Sequence, residues 1–134
     1  MCEHAAMNAR LPLLAAALFG ASGVVAGAFG AHALRPGLIE RGMLDAWETG
    51  VHYQLLHAVA LVGLAAWLRG VASPAVLRQA GWAVGCWAAG ITLFAGSLYL
   101  IAVGGPRWLG PITPIGGVAL VAGWLWVAAV AWAS

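Results

Sequence analysis

The stretch WETGVHYQLLHAVALVGLAAWL, residues 47–68, decides the fold class of this chain. Its second half contains only residues that a lipid bilayer accepts, whereas its first half carries a glutamate, two histidines, a tyrosine and a glutamine. A bilayer core needs about 20 apolar residues of helix. Residues 50–68 supply a run of that length, closed by Trp67 and Arg69. The stretch therefore predicts a transmembrane helix that begins among polar groups.

The composition of the whole chain points to lipid as its solvent. Of 134 residues, 63% are hydrophobic and 7% are charged, and the mean hydropathy is +0.94. A soluble domain carries roughly 25% charged residues, so this chain cannot cover itself with a solvated surface. Its positive charges are scattered arginines that form no basic stripe, and we expect no nucleic-acid partner. Cys2 and Cys86 share no metal or redox spacing, which predicts two unpaired thiols.

Three further apolar runs accompany the first one. In lipid every backbone polar group must be bonded internally, which makes such runs helices, and each is too long and alanine-rich for a barrel strand. Pro12 suits the first turn of a helix, and three prolines make the connector 104–114 rich in turns. The sequence thus predicts an all-α integral membrane bundle, one domain over residues 1–134, with four transmembrane helices at about 11–33, 50–68, 79–103 and 115–133.

The first run has a second interpretation as a secretory signal peptide. Arg10, the apolar core and the small residues GAFGAHA, 27–33, resemble such a peptide and its cleavage site. The apolar run is longer than the roughly 7–15 residues of a signal core. We therefore expect the first helix to be retained, with Met1 and Met7 both left as candidate starts.

Orientation rests on the arginines and on the connector 69–78. The count is equal on the two membrane faces, with Arg10, Arg69 and Arg78 on one and Arg35, Arg41 and Arg107 on the other. The short connector 69–78 holds two of them, which favours cytoplasmic termini under the positive-inside rule. We predict a multi-pass protein of the inner (plasma) membrane.

Small residues indicate how the helices touch. Where no hydrophobic effect drives association, small side chains at helical spacing let two backbones approach closely. Two glycine series have that spacing, one in the first span and one in the third, where Ala89 continues it. We expect both to serve helix packing: Gly20, Gly23, Gly27 and Gly30, and Gly81 and Gly85.

Polar groups from different spans are expected to converge in one leaflet. At 100° per residue, Tyr53, Gln54 and His57 share an inward stripe, while Glu48 and His52 can reach headgroup water. Inward polar groups need partners because an unpaired one in hydrocarbon is costly. The antiparallel topology supplies them from the span ends on that side. The predicted polar cluster, our candidate functional site, comprises His32, Glu48, Thr49, Tyr53, Gln54, His57, Ser97, Tyr99 and Thr113.

The connector between the first two spans belongs to the same side. In LRPGLIERGMLDAWET, residues 34–49, apolar residues recur at roughly helical spacing with charged residues between them. This pattern predicts a short amphipathic helix in the membrane interface. A cap over the polar cluster is the alternative.

Four stretches resemble a known family: GAFGAHAL (27–34), WETGVHYQLLH (47–57), LFAGSLY (93–99) and ITPIGGVALVAGW (112–124). Together they resemble the domain-of-unknown-function 423 family of small four-helix membrane proteins, which includes YgdD-like inner-membrane proteins and transmembrane protein 256-like proteins. The resemblance covers nearly the whole chain and implies membrane embedding, four helices and no established activity. Ala95 stands where a serine is common. The family's motif positions fall on Gly27, Gly30, His32, Trp47, Thr49, Tyr53, Gln54, His57, Gly96, Ser97, Tyr99, Thr113, Pro114 and Gly117.

Several functions are open for the polar cluster. The first is a structural clasp in an assembly or accessory subunit, whose partners would be lipid, a second copy of the chain or other membrane proteins. The second is a conduit for protons, a metal ion or a small solute, since ionisable residues inside membranes are functional candidates. No polar residue continues such a path through the other leaflet.

Metal chemistry and catalysis are the remaining alternatives. His32 and His57 could ligate a metal or haem iron, although the chain has no HExxH or CxxC motif. An enzyme acting on lipid or quinone would need Ser97 activated near His57, and no orienting group or oxyanion donor can be identified. We assign no catalytic residue and predict no cofactor.

Overall fold

Helices account for nearly all of the chain. The computed structural model describes residues 2–71 and 73–133, with the side chains of residues 2–8 left aside, so Met1 and the side chains of Met7 and Cys2 lie outside the description. Within these ranges the elements are α1 Cys2–Ala31, α2 Arg35–Glu40, α3 Leu44–Leu68, α4 Pro74–Ala102, a 3-10 helix Arg107–Leu109 and α5 Ile112–Ala133.

Four helical segments of the described chain are long and apolar enough to cross a membrane, which confirms the predicted all-α bundle. All four begin earlier than expected, as the starts of α3 and α4 show. α3 begins at Leu44 rather than at residue 50, and α4 begins at Pro74 rather than at residue 79. Pro74 suits this position because the first helical N–H has no intrahelical partner to lose. The spans are Ala9–Ala31, Leu44–Leu68, Pro74–Ala102 and Arg107–Ala133.

The connector 34–49 contains a short helix, as predicted, but that helix covers only part of the stretch. Only Arg35–Glu40 form α2, and residues 44–49 are the first turns of α3. Gly42 separates the two helices with a φ of 66°, a left-handed conformation that favours glycine. Leu38 of α2 is fully buried in a small core with Trp47. α2 therefore closes this end of the bundle rather than lying free in the interface.

The central pair of the bundle is α3 and α4, with α1 packed along α3 and α5 packed along α4. The main hydrophobic core lies where α3, α4 and α5 meet, and its largest fully buried side chains are Leu61 and Trp87. Large apolar side chains point outward along all four spans, among them Leu14, Val59 and Val118. An outer surface of this kind suits lipid rather than water.

Glycines set the spacing between α1 and α3. All four glycines predicted to pack in the first span face α3, where a side chain would meet a neighbour at successive turns. A Cβ on Gly23 would lie 2.7 Å from Cδ2 of Leu55. Small residues here let the two antiparallel backbones approach closely. The facing pairs are Gly20 with Ala58, Gly23 with Leu55, Gly27 with Val51 and Gly30 with Trp47.

The glycine series predicted in the third span does not face another helix of the described chain. Gly81 and Gly85 are exposed, and beyond the local helix backbone no described atom lies within 4 Å of an added Cβ. Contact between α4 and α5 instead depends on Gly90, Gly116 and Gly123, which face Leu120, Phe94 and Trp87 respectively. The spacing of small residues defines a stripe on a helix, but large residues such as Trp87 decide which side of α4 is buried.

Candidate functional site

Three polar side chains are buried among the described residues. Gln54 is 5% exposed, His57 is 3% exposed and Ser97 is 3% exposed. Gln54 and His57 lie on α3 and Ser97 lies on α4, the central pair of helices. Since a buried polar group without a partner is costly, their hydrogen bonds indicate what they do. We call these three residues and their side-chain bonding partners the buried polar cluster, after its three buried members, since Ser22 and Trp124 are themselves exposed: Ser22, Gln54, His57, Ser97, Tyr99, Thr113 and Trp124.

Gln54 connects three helices through its side-chain amide. Its Nε2 donates to the carbonyl oxygen of Phe19 at 2.9 Å and to Oγ of Ser22 at 2.7 Å, both in α1. Its Oε1 accepts from the hydroxyl of Tyr99 in α4 at 2.9 Å. Both amide hydrogens are therefore used, and the three bonds together assign the orientation of the amide.

His57 has a hydrogen-bonding partner at each ring nitrogen. Nδ1 lies 2.7 Å from the carbonyl oxygen of Tyr53, one turn earlier in α3. A carbonyl can only accept, so Nδ1 carries the proton. Nε2 accepts from the indole Nε1 of Trp124 in α5 at 3.1 Å. The two partners thus assign a neutral imidazole with neither nitrogen free.

The His57 ring also packs against two indoles. Its centroid lies 5.8 Å from that of Trp87 and 5.9 Å from that of Trp124, and the two indoles are 4.8 Å apart. All three pairs meet edge to face, the arrangement that the aromatic quadrupole favours. The rings lie near the middle of α3 and α5 rather than at one end, so His57 is placed deeper than a cluster confined to one leaflet would require.

Ser97 and Thr113 form a separate bond between α4 and α5. Their hydroxyl oxygens are 2.6 Å apart, and Oγ of Ser97 also donates to the carbonyl oxygen of Phe94 at 3.0 Å. A serine hydroxyl has one hydrogen, so Thr113 is the donor to Ser97. No hydrogen bond joins Ser97 to His57 within the described chain, and the two do not form a nucleophile and base pair.

Several predicted members lie outside this cluster. His32 and Glu48 are exposed, and Thr49 is half-buried with no hydrogen bond to the cluster. Tyr53 is 46% exposed, although its ring lies 4.7 Å from that of Phe94. The reason is angular: Tyr53 is one residue, about 100°, from Gln54 around α3, which places it at the edge of the buried arc.

His32 and His57 do not lie at a common depth, which argues against a metal shared between them. His32 follows the end of α1, close to Gly30, and Gly30 packs against Trp47. His57 is ten residues beyond Trp47 on α3, about 15 Å by the helical rise. In the part of the chain that the structure describes, no three His, Cys, Asp or Glu side chains come together to hold a metal ion.

Two members of the cluster, Ser22 and Trp124, were not identified from the sequence. Ser22 precedes Gly23, and the glycine series of α1 faces α3 at successive turns, so matching the antiparallel register could have placed it beside Gln54. Trp124 is not among the residues predicted for the polar cluster. The indole of Trp47 has a similar polar role, since its Nε1 donates to the carbonyl oxygen of Ala26 at 2.9 Å.

Four apolar helices with lipid-facing exteriors, joined inside by hydrogen bonds, define a small multi-pass membrane protein. The chain belongs to the DUF423 family, described as a protein of unknown function, whose model matches residues 26–117. The family resemblance drawn from the sequence motifs is thereby confirmed.

Curated relatives cover most of the chain. The UPF0382 membrane protein SH2409 of Staphylococcus haemolyticus is 39% identical over 116 residues, 87% of this chain and 90% of the relative. The UPF0382 membrane protein YwdK of Bacillus subtilis is 44% identical, covering 78% and 82% of the two chains. The UPF0382 inner membrane protein YgdD of Escherichia coli K12 is 38% identical, covering 88% and 86%. No solved structure matches this chain. These names establish a membrane protein and no activity.

Proposed function

We propose that this protein is a structural or assembly subunit of the inner membrane, in which the buried polar cluster is a clasp that holds the helices together. One observation supports this most directly: both nitrogens of His57 and both amide hydrogens of Gln54 are bonded inside the chain. A substrate, ion or metal would have to break these bonds to use either side chain. The chain then acts through its outer surface, by contact with other membrane proteins.

The outer face of α4 favours contact with a partner helix. Gly81, Gly85 and Ala89 recur every four residues there and are all exposed. Outside the neighbouring residues and the local helix backbone, no atom of the described chain lies within 4 Å of a Cβ added to either glycine. A face of small residues lets a helix from another chain approach closely in lipid, which agrees with an accessory subunit.

A conduit has less support from the same geometry. A proton path through His57 would require its Nε2 to become a donor, which would point two donors, Nε2 and the indole Nε1 of Trp124, at each other. The described spans also bury no acidic side chain that could exchange a proton with it. A clasp requires neither a donor role for Nε2 of His57 nor a buried acidic side chain.

The proposal includes cytoplasmic chain termini. α1 begins and α5 ends on the face that carries Arg69, in the short connector between α3 and α4, and Arg78, in the second turn of α4. Positive residues in short loops favour the cytoplasmic side. With green fluorescent protein fused after Ser134 we expect fluorescence, and with alkaline phosphatase fused there we expect no activity. An active phosphatase together with dark fluorescent protein would reverse the orientation.

The subunit proposal can be tested on the full chain in its own membrane. An epitope-tagged chain, solubilised in digitonin and separated by blue native electrophoresis, should migrate in a complex larger than one copy. Gly85→Leu should abolish that complex while leaving the thermal stability of the purified chain unchanged. Gly63→Leu is the matched control, since Gly63 is also exposed with open space around it but lies on α3. Migration of the native chain as a single copy would overturn the subunit proposal.

The clasp is tested separately with His57→Phe. We expect this change to lower thermal stability, because it leaves the indole Nε1 of Trp124 without its acceptor. Loss of the native complex should then follow the loss of folded chain. If His57→Phe instead left stability intact and still removed the complex, His57 would be part of a functional site rather than a clasp.

A further inference from the structure

A groove between α1 and α3 opens on the membrane face where α1 begins. It has a volume of about 330 Å³ and its wall is formed by Ala9, Arg10 and Leu13 of α1 together with Val62, Ala65 and Arg69 of the α3 side. The two arginines lie toward the membrane surface, while the other side chains are small or apolar and continue toward the middle of the spans. The groove therefore has a charged mouth and an apolar floor.

The guanidinium groups of both groove arginines have no bonding partner within the described chain. Arg10 and Arg69 are exposed, and within the described chain neither makes a side-chain hydrogen bond or an ion pair. Arg41, at the other membrane face, differs because its Nη1 donates to the carbonyl oxygen of Gly37 at 3.0 Å. The acidic residues whose side chains the structure describes also lie toward that other face: Glu40, Asp45 and Glu48. The groove thus presents positive charge that the described part of its own face does not neutralise.

We propose that this groove binds an anionic glycerophospholipid. Oxygens of the phosphate accept hydrogen bonds from the guanidinium groups of Arg10 and Arg69, which bind phosphate in a fork geometry. One acyl chain lies along Leu13, Val62 and Ala65 beneath them. Basic pockets between transmembrane helices are recognised sites for lipid headgroups. The site is independent of the clasp and of the α4 face, and it gives the chain a preference for lipid class.

The dimensions of the groove favour a lipid over a partner helix. A helix with its side chains is about 10–12 Å across, which is too wide to enter a groove of about 330 Å³ that lies between two packed helices. An acyl chain is narrow enough. A small anion alone would satisfy the arginines but would leave the apolar floor uncovered, so an amphiphile fits both parts of the groove.

The test uses the full chain in nanodiscs made from equimolar dioleoylphosphatidylglycerol and dioleoylphosphatidylcholine, followed by native mass spectrometry of the lipids that remain bound. We expect the wild type to retain phosphatidylglycerol in preference to phosphatidylcholine. Each arginine replaced by glutamine should weaken retention about fivefold, and Arg10→Gln/Arg69→Gln together about 25-fold. Arg35→Gln/Arg107→Gln is the matched control on the opposite face, where retention should not change.

A second variant tests the apolar floor without changing the charge. Ala66 is exposed and lines the same groove, so Ala66→Phe should fill it and reduce phosphatidylglycerol retention while leaving thermal stability intact. Equal retention by the wild type and the double arginine variant would overturn the proposal. An equal loss of phosphatidylglycerol in the Arg35→Gln/Arg107→Gln control would also overturn it, because retention would then depend only on the total surface charge. Release of the lipid by millimolar inorganic phosphate would show that the headgroup alone is bound.

Discussion

The indole Nε1 of Trp124 donates to Nε2 of His57 over 3.1 Å, and this bond joins α5 to α3 near the middle of both helices. It also leaves the imidazole proton on Nδ1, where the carbonyl oxygen of Tyr53 accepts it. An ionisable side chain inside a membrane is a functional candidate by default. Here both ring nitrogens are instead bonded to partners within the chain, which is the pattern of a structural group.

Trp124→Phe should therefore destabilise the bundle. Phenylalanine retains a ring beside Trp87 but leaves Nε2 of His57 buried without a donor. Such an unpaired buried acceptor costs about 1–3 kcal/mol. The free energy of unfolding can be measured on the detergent-solubilised protein. Trp132→Phe is the control, because Trp132 is 94% exposed and its replacement should have little effect. Equal losses in the two variants would mean that the hydrogen bond is not what stabilises the bundle.

Gln54 and Tyr99 should show energetic coupling in a double-mutant cycle. The hydroxyl of Tyr99 donates to Oε1 of Gln54, and this bond links α4 to α3. From interhelical bonds measured in membranes we expect a coupling of about 0.6–1.7 kcal/mol between Tyr99→Phe and Gln54→Leu. The reference cycle pairs Gln54→Leu with Thr92→Val, since the exposed Thr92 bonds only to its own helix. Strictly additive effects in the first cycle would argue against a clasp at Gln54.

A methyl group at Gly116 should separate α4 from α5. A Cβ there would contact the backbone nitrogen of Phe94 and lie 2.8 Å from its Cα, and backbone atoms cannot move aside as a flexible side chain can. Gly116→Ala should cost more than about 1 kcal/mol, at the level of an overpacked core. Gly85→Ala, with open space around it, should be neutral or slightly stabilising because alanine favours helix. Thermal unfolding of the two variants compares the sites directly, and similar melting temperatures would contradict the close approach.

Much of the fold could be predicted because a membrane span must be a long apolar helix, and prolines mark where such helices begin or are connected. The four spans follow from the length of apolar runs, and the inward position of Gln54 follows from helical angle. Tyr53 shows the limit of that reasoning, because it was predicted to face inward and is instead half exposed. The contacts of α3 with both α1 and α4 decide which part of its surface is buried. Which part of a helix surface is covered depends on its neighbours, and periodicity does not identify them.

The partners of the polar groups were harder to predict than the groups themselves. Ser97 and Thr113 were both expected in one cluster, and they are bonded to each other rather than to His57. The main partner of His57 is an indole, which periodicity assigns to packing because tryptophan is mostly apolar. The sequence places His32 and His57 in one cluster because both lie toward the same side of the membrane. Their positions along the helices, however, put them at different depths. Pairing requires the register between helices, which only side-chain contacts reveal.

Occupation of both His57 nitrogens also predicts how the protein behaves toward metals. A metal at His57 would have to displace either the indole of Trp124 or the carbonyl oxygen of Tyr53. We therefore expect elemental analysis of the detergent-purified protein to find no stoichiometric copper, zinc or iron that depends on His57. The control is His57→Ala, purified in the same way and compared per mole of chain. Stoichiometric metal in the wild type that disappears in His57→Ala would mean that the hydrogen bond to Trp124 opens in the membrane, and the clasp would then be replaced by a metal site.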